Sequence, residues 1–233
     1  MVDEGRPAPA RMLRGPAWQD DDGLALRDRL VALVHGDEIE RIRRAYAAEE
    51  IRGVTPRYWE DVKVGELLPA VVKGPLTVTS LIAFIQGWGS LYVRAHGLAF
   101  DLFERHPALG IPNEFGVPEP PERVHWDPAL AGAVGVPAPY DYGPERVAWL
   151  GHLVTNWMGD DGFLARLNVQ VRRHNLIGDT TWCRGRVAAK AVVDERGEVT
   201  LDLVAVNQRD ETIAQGQAVV VLPRRSDTPG RPR

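Results

Sequence analysis

The part of the chain that most restricts its possible folds is the stretch after residue 163, which contains four strand-like segments in a row. In residues 164–173, 180–193, 199–207 and 212–222, β-branched and other apolar residues tend to alternate with polar ones. Only short turn-like sequences separate these segments. Long strands with short connections pair in chain order as an antiparallel meander. We therefore expect the chain to end in an antiparallel sheet.

The clearest helical pattern lies directly before these strands. Pro144 follows Gly143 and suits the first turn of a helix, where its missing N–H would have had no partner. Apolar residues then recur at helical spacing, at Val147, Leu150, Val154 and Trp157. A helix with so wide an apolar face is expected to be covered by the sheet.

Earlier residues add further elements. Residues 67–72 have strand-like sequence, and Thr79 or Ser80 is expected to cap a helix that begins at Leu81. The order of strand, helix, buried helix and antiparallel strands fits one α+β arrangement. In it, a curved antiparallel sheet wraps around a central helix, which is the hot-dog fold.

Shifts in composition predict how the chain is organised. The expected parts are a disordered N-terminus at 1–20, a helical extension at 21–56, a hot-dog domain at 57–223 and a disordered tail at 224–233. The domain contains an insertion at 90–124, whose end is rich in proline and reads as a loop. A long loop of this kind inside a domain is usually functional.

Charge and composition exclude several classes of function. The formal net charge of −4 argues against nucleic acid as a partner, because phosphate binding needs a basic face. No apolar run approaches the ~20 residues that span a bilayer, so no membrane insertion is expected. Cys183 is the single cysteine, and the first residues lack the apolar centre of a signal peptide. These features predict a cytoplasmic protein.

Two stretches of the chain, residues 57–87 (RYWEDVKVGELLPAVVKGPLTVTSLIAFIQG) and residues 125–187, which begin with HWD, resemble one known family. This is the MaoC-like family of acyl dehydratases and enoyl-CoA hydratases. Residues 57–87 are similar to the opening strands and first helix of that family. Residues 125–187 are similar to its core, because they contain a His-x-Asp sequence (HWD), a glycine before the central helix (YDYGPERVAWL) and a Gly-Asp-Thr turn (IGDTTW). The resemblance implies a hot-dog fold and chemistry on acyl thioesters.

In that family an aspartate and a histidine, spaced Asp-x4-His before the central helix, add water to the double bond of a 2-enoyl-CoA or remove it. One group must take a proton and another must return one. By position, His125 corresponds to the family's histidine and Asp127 to the acidic residue after it. The N–H of Gly143 corresponds to the donor facing the thioester oxygen. The aspartate would fall at Pro120.

The missing aspartate leaves the partner of His125 open. Glu122 is our first candidate, and Glu119 is the other nearby carboxylate. The insertion contributes further acids, namely Asp101, Glu104 and Glu114. Either an acid of this region replaces the aspartate, or the water chemistry has been lost. Asp127 precedes Pro128 and is also expected to cap the short helix that follows.

Three kinds of function follow from the resemblance. The leading hypothesis is hydration of a 2-enoyl-CoA or dehydration of a 3-hydroxyacyl-CoA, with Tyr140 and Tyr142 as candidates for the wall of the acyl pocket. CoA would arrive as part of the substrate, and neither a dissociable cofactor nor a metal is expected, because the histidines show no metal-ligand spacing. The alternatives are a non-catalytic hot-dog subunit of a heteromeric hydratase, and an acyl-CoA thioesterase or acyl-thioester-binding module. A homodimer, or a heteromer with another hot-dog chain, is the expected assembly.

Overall fold

A five-stranded antiparallel sheet forms the centre of the fold in the computed structural model, which describes residues 36–227. Its strands are β1 (Leu67–Lys73), β4 (Phe163–Val171), β5 (Thr181–Val193), β6 (Arg196–Asn207) and β7 (Thr212–Leu222). They lie in the order β1-β5-β6-β7-β4. The four strands predicted after residue 163 are therefore confirmed, and β5, β6 and β7 pair in chain order as expected. The predicted pairing of β4 with β5 is wrong, because β4 pairs with β7 at the edge of the sheet and β1 takes the place beside β5.

The largest difference in strand boundaries is at the start of β6, which begins at Arg196 and not at Val199. Asp194 and Glu195 both have positive φ values, of 46° and 64°, and form the whole turn between Val193 and Arg196. Two-residue hairpin turns with positive φ match the twist of paired strands. The turn is therefore shorter than the polar sequence suggested.

The central helix is α5 (Gly143–Met158), and it packs across the sheet as predicted. Leu150, Leu153 and Val154 are fully buried. They form one apolar cluster with residues from the inner face of the sheet, which include Val187, Leu201, Ala205, Ile213, Ala218 and Val220. Cys183 belongs to this cluster, and burial raises the pKa of its thiol to about 12, so it behaves as a core residue.

The first helix of the domain, α2 (Val78–Trp88), starts earlier than predicted. Its N-cap is Thr77, whose hydroxyl accepts the N–H of Ser80 at 3.0 Å. The Ser80 hydroxyl accepts the N–H of Thr77 in return, also at 3.0 Å. The predicted cap at Thr79 or Ser80 is therefore wrong, because Ser80 serves as the third helical residue of a capping box.

The described part of the N-terminal extension is the helix α1 (Gly36–Ala47) with the residues after it. Tyr46 Oη donates to the carbonyl of Gly74 at 2.9 Å, next to β1. His152 of α5 lies between Glu49 and Lys73, with contacts of 3.2 Å to the carboxylate and 2.6 Å to the ammonium nitrogen. These contacts attach the extension to the sheet and the central helix.

The insertion contains more structure than a loop. It forms α3 (His96–Arg105), a short hairpin of β2 (Ile111–Pro112) and β3 (Pro118–Glu119), and a 3-10 helix (Pro121–His125) that leads to α4 (Pro128–Ala133). Asn113 closes the hairpin because its side-chain oxygen accepts the N–H groups of Phe115 and Val117. A loop prediction from proline content alone misses such side-chain contacts.

Several predictions fall on residues that are not described, namely the disorder of 1–20, the helical sequence before Gly36 and the end of the tail after 227. The division into extension, domain and tail stays a prediction. Between Gly36 and Asp227, no helix has the length and apolar character needed to cross a membrane.

Candidate active site

His125 ends the 3-10 helix Pro121–His125 and lies against the segment that leads into α5. Its Nδ1 is 2.8 Å from the carbonyl oxygen of Tyr140. A carbonyl can only accept, so we assign the ring proton to Nδ1, which leaves the lone pair on Nε2. The imidazole is thereby held in the tautomer that accepts a proton at Nε2.

The two tyrosines nominated for the acyl pocket both contact this imidazole. The ring of Tyr142 is 3.7 Å from the His125 ring, with an angle of 32° between their planes. The ring of Tyr140 meets His125 edge-on at 4.7 Å. Tyr142 also contacts Phe84 and Trp88 of α2. We call the rings of Phe84, Trp88, Tyr140 and Tyr142 the aromatic wall. Its two tyrosines fix the orientation of the imidazole.

The surroundings of His125 favour its neutral form. Burial lowers the pKa of the imidazole and is the largest influence on it. The carbonyl of Tyr140 and the charge of Glu122 act in the opposite direction and raise this pKa, whereas Arg146 and His174 lower it. The net result is a pKa below the usual value, so His125 is neutral near pH 7 and suited to accept a proton.

Glu122 is brought close to His125 by the 3-10 helix, in which side chains three residues apart lie on the same side. Its carboxylate is buried and accepts three hydrogen bonds. The donors are Ser90 Oγ at 2.7 Å, Leu91 N–H at 3.1 Å and Tyr92 N–H at 3.0 Å. The carboxylate therefore ties the start of the insertion to the 3-10 helix that ends at His125, and its oxygens already have partners.

We expect Glu122→Gln to lower the pKa of His125 further, because the variant removes a negative charge that raises it. The variant should also lose about 1 kcal/mol of stability, since an amide leaves at least one of the three partly buried donors without an acceptor. Titration of the imidazole by NMR measures the first effect, and chemical denaturation the second. An unchanged His125 titration would show that the two groups do not interact.

The other predicted acids have structural partners. Arg123 binds Glu119 at 2.7 Å and Asp127 at 3.0 Å. The second oxygen of Asp127 accepts the N–H groups of Ala129 and Leu130, so the predicted cap of α4 is confirmed. With both oxygens engaged, Asp127 has no part in the reaction proposed below.

The remaining acids of the insertion are exposed. Asp101 pairs with Arg105 at 2.6 Å within α3. Glu104 and Glu114 lie at the surface. Glu122 is thus the one acid of the predicted set whose charge raises the pKa of His125.

The start of α5 lies next to the same group of aromatic rings. Gly143 is the first helical residue, and Pro144 has no N–H to offer. The first N–H groups of a helix have no partner within it, so the N–H of Gly143 stays the candidate donor to a substrate oxygen. The helix dipole places partial positive charge at this end.

Sequence reasoning missed a buried charged cluster at this helix start, which consists of Asp141, Glu145 and Arg146. They are 0%, 4% and 3% exposed. Arg146 Nε lies 3.0 Å from Asp141 Oδ2. Burial raises the pKa of Asp141 well above its usual range and that of Glu145 to about 7. The signal available in sequence was the run of charges in DYGPER, directly before an apolar helix.

Within residues 36–227, no three His, Cys, Asp or Glu side chains come together in a group that could hold a metal ion. No family model and no curated protein sequence matches the chain.

Solved structures, in contrast, show clear similarity. One is an (R)-hydratase from A. caviae involved in PHA biosynthesis, with a TM-score of 0.52 and 16% identity, covering 70% of this chain and 99% of the hydratase. A second is an R-hydratase from Pseudomonas aeruginosa, with a TM-score of 0.52 and 15% identity over 72% of this chain and 86% of that one. A third is a MaoC-like dehydratase from Rhodospirillum rubrum, with a TM-score of 0.50 and 19% identity over 72% and 98% of the two chains.

These matches span nearly the full length of the neighbours, while their low identity limits the shared feature to the fold. The chain therefore has the hot-dog fold of these hydratases and dehydratases, as its resemblance to the MaoC-like family implied.

Proposed function

We propose that this protein is a MaoC-like hydratase that adds water to a 2-enoyl-CoA or removes it from a 3-hydroxyacyl-CoA. The observation that carries the proposal is His125, a neutral imidazole whose Nδ1 is fixed by the Tyr140 carbonyl at 2.8 Å. In sequence it corresponds to the histidine of the MaoC-like family, which supports this role. The names of the structural neighbours support the same class of reaction.

In the hydration direction, the Nε2 of His125 takes a proton from water as its oxygen bonds to the β-carbon. Negative charge then builds on the thioester oxygen. The N–H of Gly143 and the positive end of the α5 dipole are suited to stabilise that charge. A proton must finally be delivered to the α-carbon. CoA enters as part of the substrate, and no dissociable cofactor is required by these steps.

Glu122 has a supporting task in this scheme. Its charge raises the pKa of His125 against the effect of burial, so the imidazole stays basic enough to accept a proton. Its three hydrogen bonds from residues 90–92 position the insertion beside the aromatic wall. Because these donors occupy the carboxylate, Glu122 is poorly placed to deliver the second proton.

The direct test is a hydration assay of the purified full chain with crotonyl-CoA and a medium-chain 2-enoyl-CoA. Loss of the absorbance of the conjugated thioester reports the reaction, and mass spectrometry should find a product heavier by one water. Release of free CoA is measured in parallel with a thiol reagent. Release without hydration would identify a thioesterase and contradict the proposal.

A second candidate function is that of a non-catalytic subunit paired with another hot-dog chain. Two observations favour it: Pro120 stands where the family has its aspartate, and the Glu122 carboxylate is already filled by donors from the same chain. A folded protein that is inactive on both thioesters alone, and that co-purifies with a second hot-dog chain, would favour this alternative. A homodimer active by itself would exclude it.

A further inference from the structure

A lysine, a histidine and a glutamate form a chain of polar contacts where the N-terminal extension meets β1 and α5. The Nζ of Lys73 is 2.6 Å from the Nδ1 of His152. The Nε2 of His152 is 3.2 Å from the Oε1 of Glu49, and the same oxygen accepts the side-chain amide of Asn156 at 2.9 Å. None of these residues is used by the hydration chemistry above.

Lys73 lies on the face of β1 that is turned toward the central helix. Successive strand residues point to opposite faces, so Lys73 shares a face with Val71, which belongs to the apolar cluster of α5. Among residues 36–227, its ammonium forms no ion pair with a carboxylate, and the imidazole of His152 is its partner instead. Burial lowers the pKa of this ammonium, although the charge of Glu49 raises it. Lys73 therefore gives up a proton more readily than an ordinary lysine.

The glutamate fixes the position of the proton on the imidazole. A carboxylate can only accept, so the Nε2 of His152 carries the ring proton and donates it to Glu49. The lone pair of Nδ1 then faces the Lys73 ammonium, which can only donate. Burial and the charge of Lys73 lower the pKa of His152, so the imidazole is neutral near pH 7. An amine, an imidazole and a carboxylate in this order have the geometry in which a base activates a nucleophile.

We propose that Lys73 is a nucleophile that takes an acyl group from an acyl thioester, with His152 as its base and Glu49 as the group that orients the base. His152 takes one proton from the Lys73 ammonium, and Glu49 stabilises the imidazolium. The free amine bonds to the thioester carbonyl carbon, and the bond from that carbon to sulfur breaks. A second proton of the nitrogen goes to the departing thiolate, and His152 releases the first proton to water. The products are an amide on Lys73, a free thiol and one proton.

An acyl thioester is the donor that suits this site. An amine and a thioester give an amide without any further reactant, and the proposed function, on which this choice of donor rests, already brings thioesters to the chain. The reaction differs from hydration because it takes place at the carbonyl carbon and modifies the protein. The side chain of His152 is 36% exposed, so the imidazole can pass its proton to water.

The test is incubation of the full chain with acetyl-CoA, followed by peptide mapping with mass spectrometry. Lys63, Lys73 and Lys190 are the lysines of the sequence, and Lys63 is exposed and serves as the internal reference. We expect Lys73 to gain an acetyl group about 100-fold faster than Lys63, the lower end of what a positioned base contributes. Equal rates at the two lysines would overturn the proposal. Acetyl-CoA has no double bond to hydrate, so failure of the hydration assay leaves this result unaffected.

Two variants separate the chemical role from a purely structural one. The amide oxygen of His152→Gln can still accept from Lys73 but cannot take its proton, so acetylation of Lys73 should slow about 100-fold. Glu49→Gln keeps an oxygen that accepts from His152 and Asn156 and loses only the charge, so the rate should fall about tenfold. Lys63 should be labelled at the wild-type rate in both.

Thermal unfolding shows whether the two variants are folded, and Glu49→Gln keeps the test decisive if His152→Gln does not fold. Acetylation of Lys73 at the wild-type rate in either folded variant would overturn the proposal, because the histidine and glutamate would then be structural partners only.

Discussion

His125→Ala should lower kcat for hydration of a 2-enoyl-CoA by about 10²–10⁴-fold, the usual contribution of a general base. The variant removes the one group whose tautomer is fixed by the Tyr140 carbonyl at 2.8 Å and whose remaining nitrogen can accept a proton from water. The change in KM should be small, because the imidazole acts on the water and not on the CoA portion of the substrate.

The pH dependence of wild-type activity should also identify His125 as the base. Since burial lowers the pKa of His125, its neutral form persists below pH 6.5, and wild-type activity should fall in acid only below that value. His106→Ala is the matched control, because His106 is an exposed histidine of the insertion. Unfolded wild-type protein serves as the blank for the assay. If His125→Ala keeps activity above this blank at the wild-type level, the reaction belongs to another group.

The sequence nominated His125 because its HWD stretch resembles the MaoC-like family, and it nominated both tyrosines because they lie in the loop before the central helix. It could not find the partners of Glu122, because Ser90 lies 32 residues earlier and reaches the carboxylate only after the insertion folds. The contact depends on Ser90 adopting a positive φ of 53°, a conformation that local sequence does not reveal.

The buried cluster was missed for a different reason. Asp141, Glu145 and Arg146 flank or begin an apolar helix, where charged residues are usually solvent-exposed. Burial of all three follows from the position of α5 under the sheet and from the segment of Arg173 and Asn175 that covers the helix start. Alternation and helical spacing predict strands and helices, but they do not say which charged residues the assembled elements enclose.

Asp179→Asn should destabilise the fold by about 3 kcal/mol, toward the lower end of the range for breaking a buried ion pair. Asp179 is fully buried in the turn before β5. Its two oxygens bind the Arg209 guanidinium at 2.5 and 2.7 Å. They also accept the Leu176 N–H at 2.9 Å and the Gln208 side-chain amide at 2.8 Å. Arg209 keeps Glu211 as a second partner, which limits the loss.

For a chain of this length, that loss corresponds to a decrease in Tm of roughly 6–12 °C. Asp202→Asn is the matched control, because Asp202 also pairs with an arginine, Arg186, at 2.9 Å, but the pair is exposed. Exposed pairs contribute little, so the control should lose less than about 1 kcal/mol. Equal losses of stability in the two variants would show that burial does not make the Asp179–Arg209 pair more important than the exposed Asp202–Arg186 pair.

The effect of Asp179 should extend to the candidate active site, since the turn supports the segment that precedes α5. Leu176 forms a bridge to Tyr140, and the carbonyl of Asn175 accepts the N–H of Asp141 at 3.0 Å. Tyr140 in turn supplies the carbonyl that orients His125. At a temperature where Asp179→Asn is still folded, we therefore expect kcat to fall and the pKa of His125 to change. A variant that loses stability but keeps both would show that Asp179 stabilises the fold without positioning the histidine.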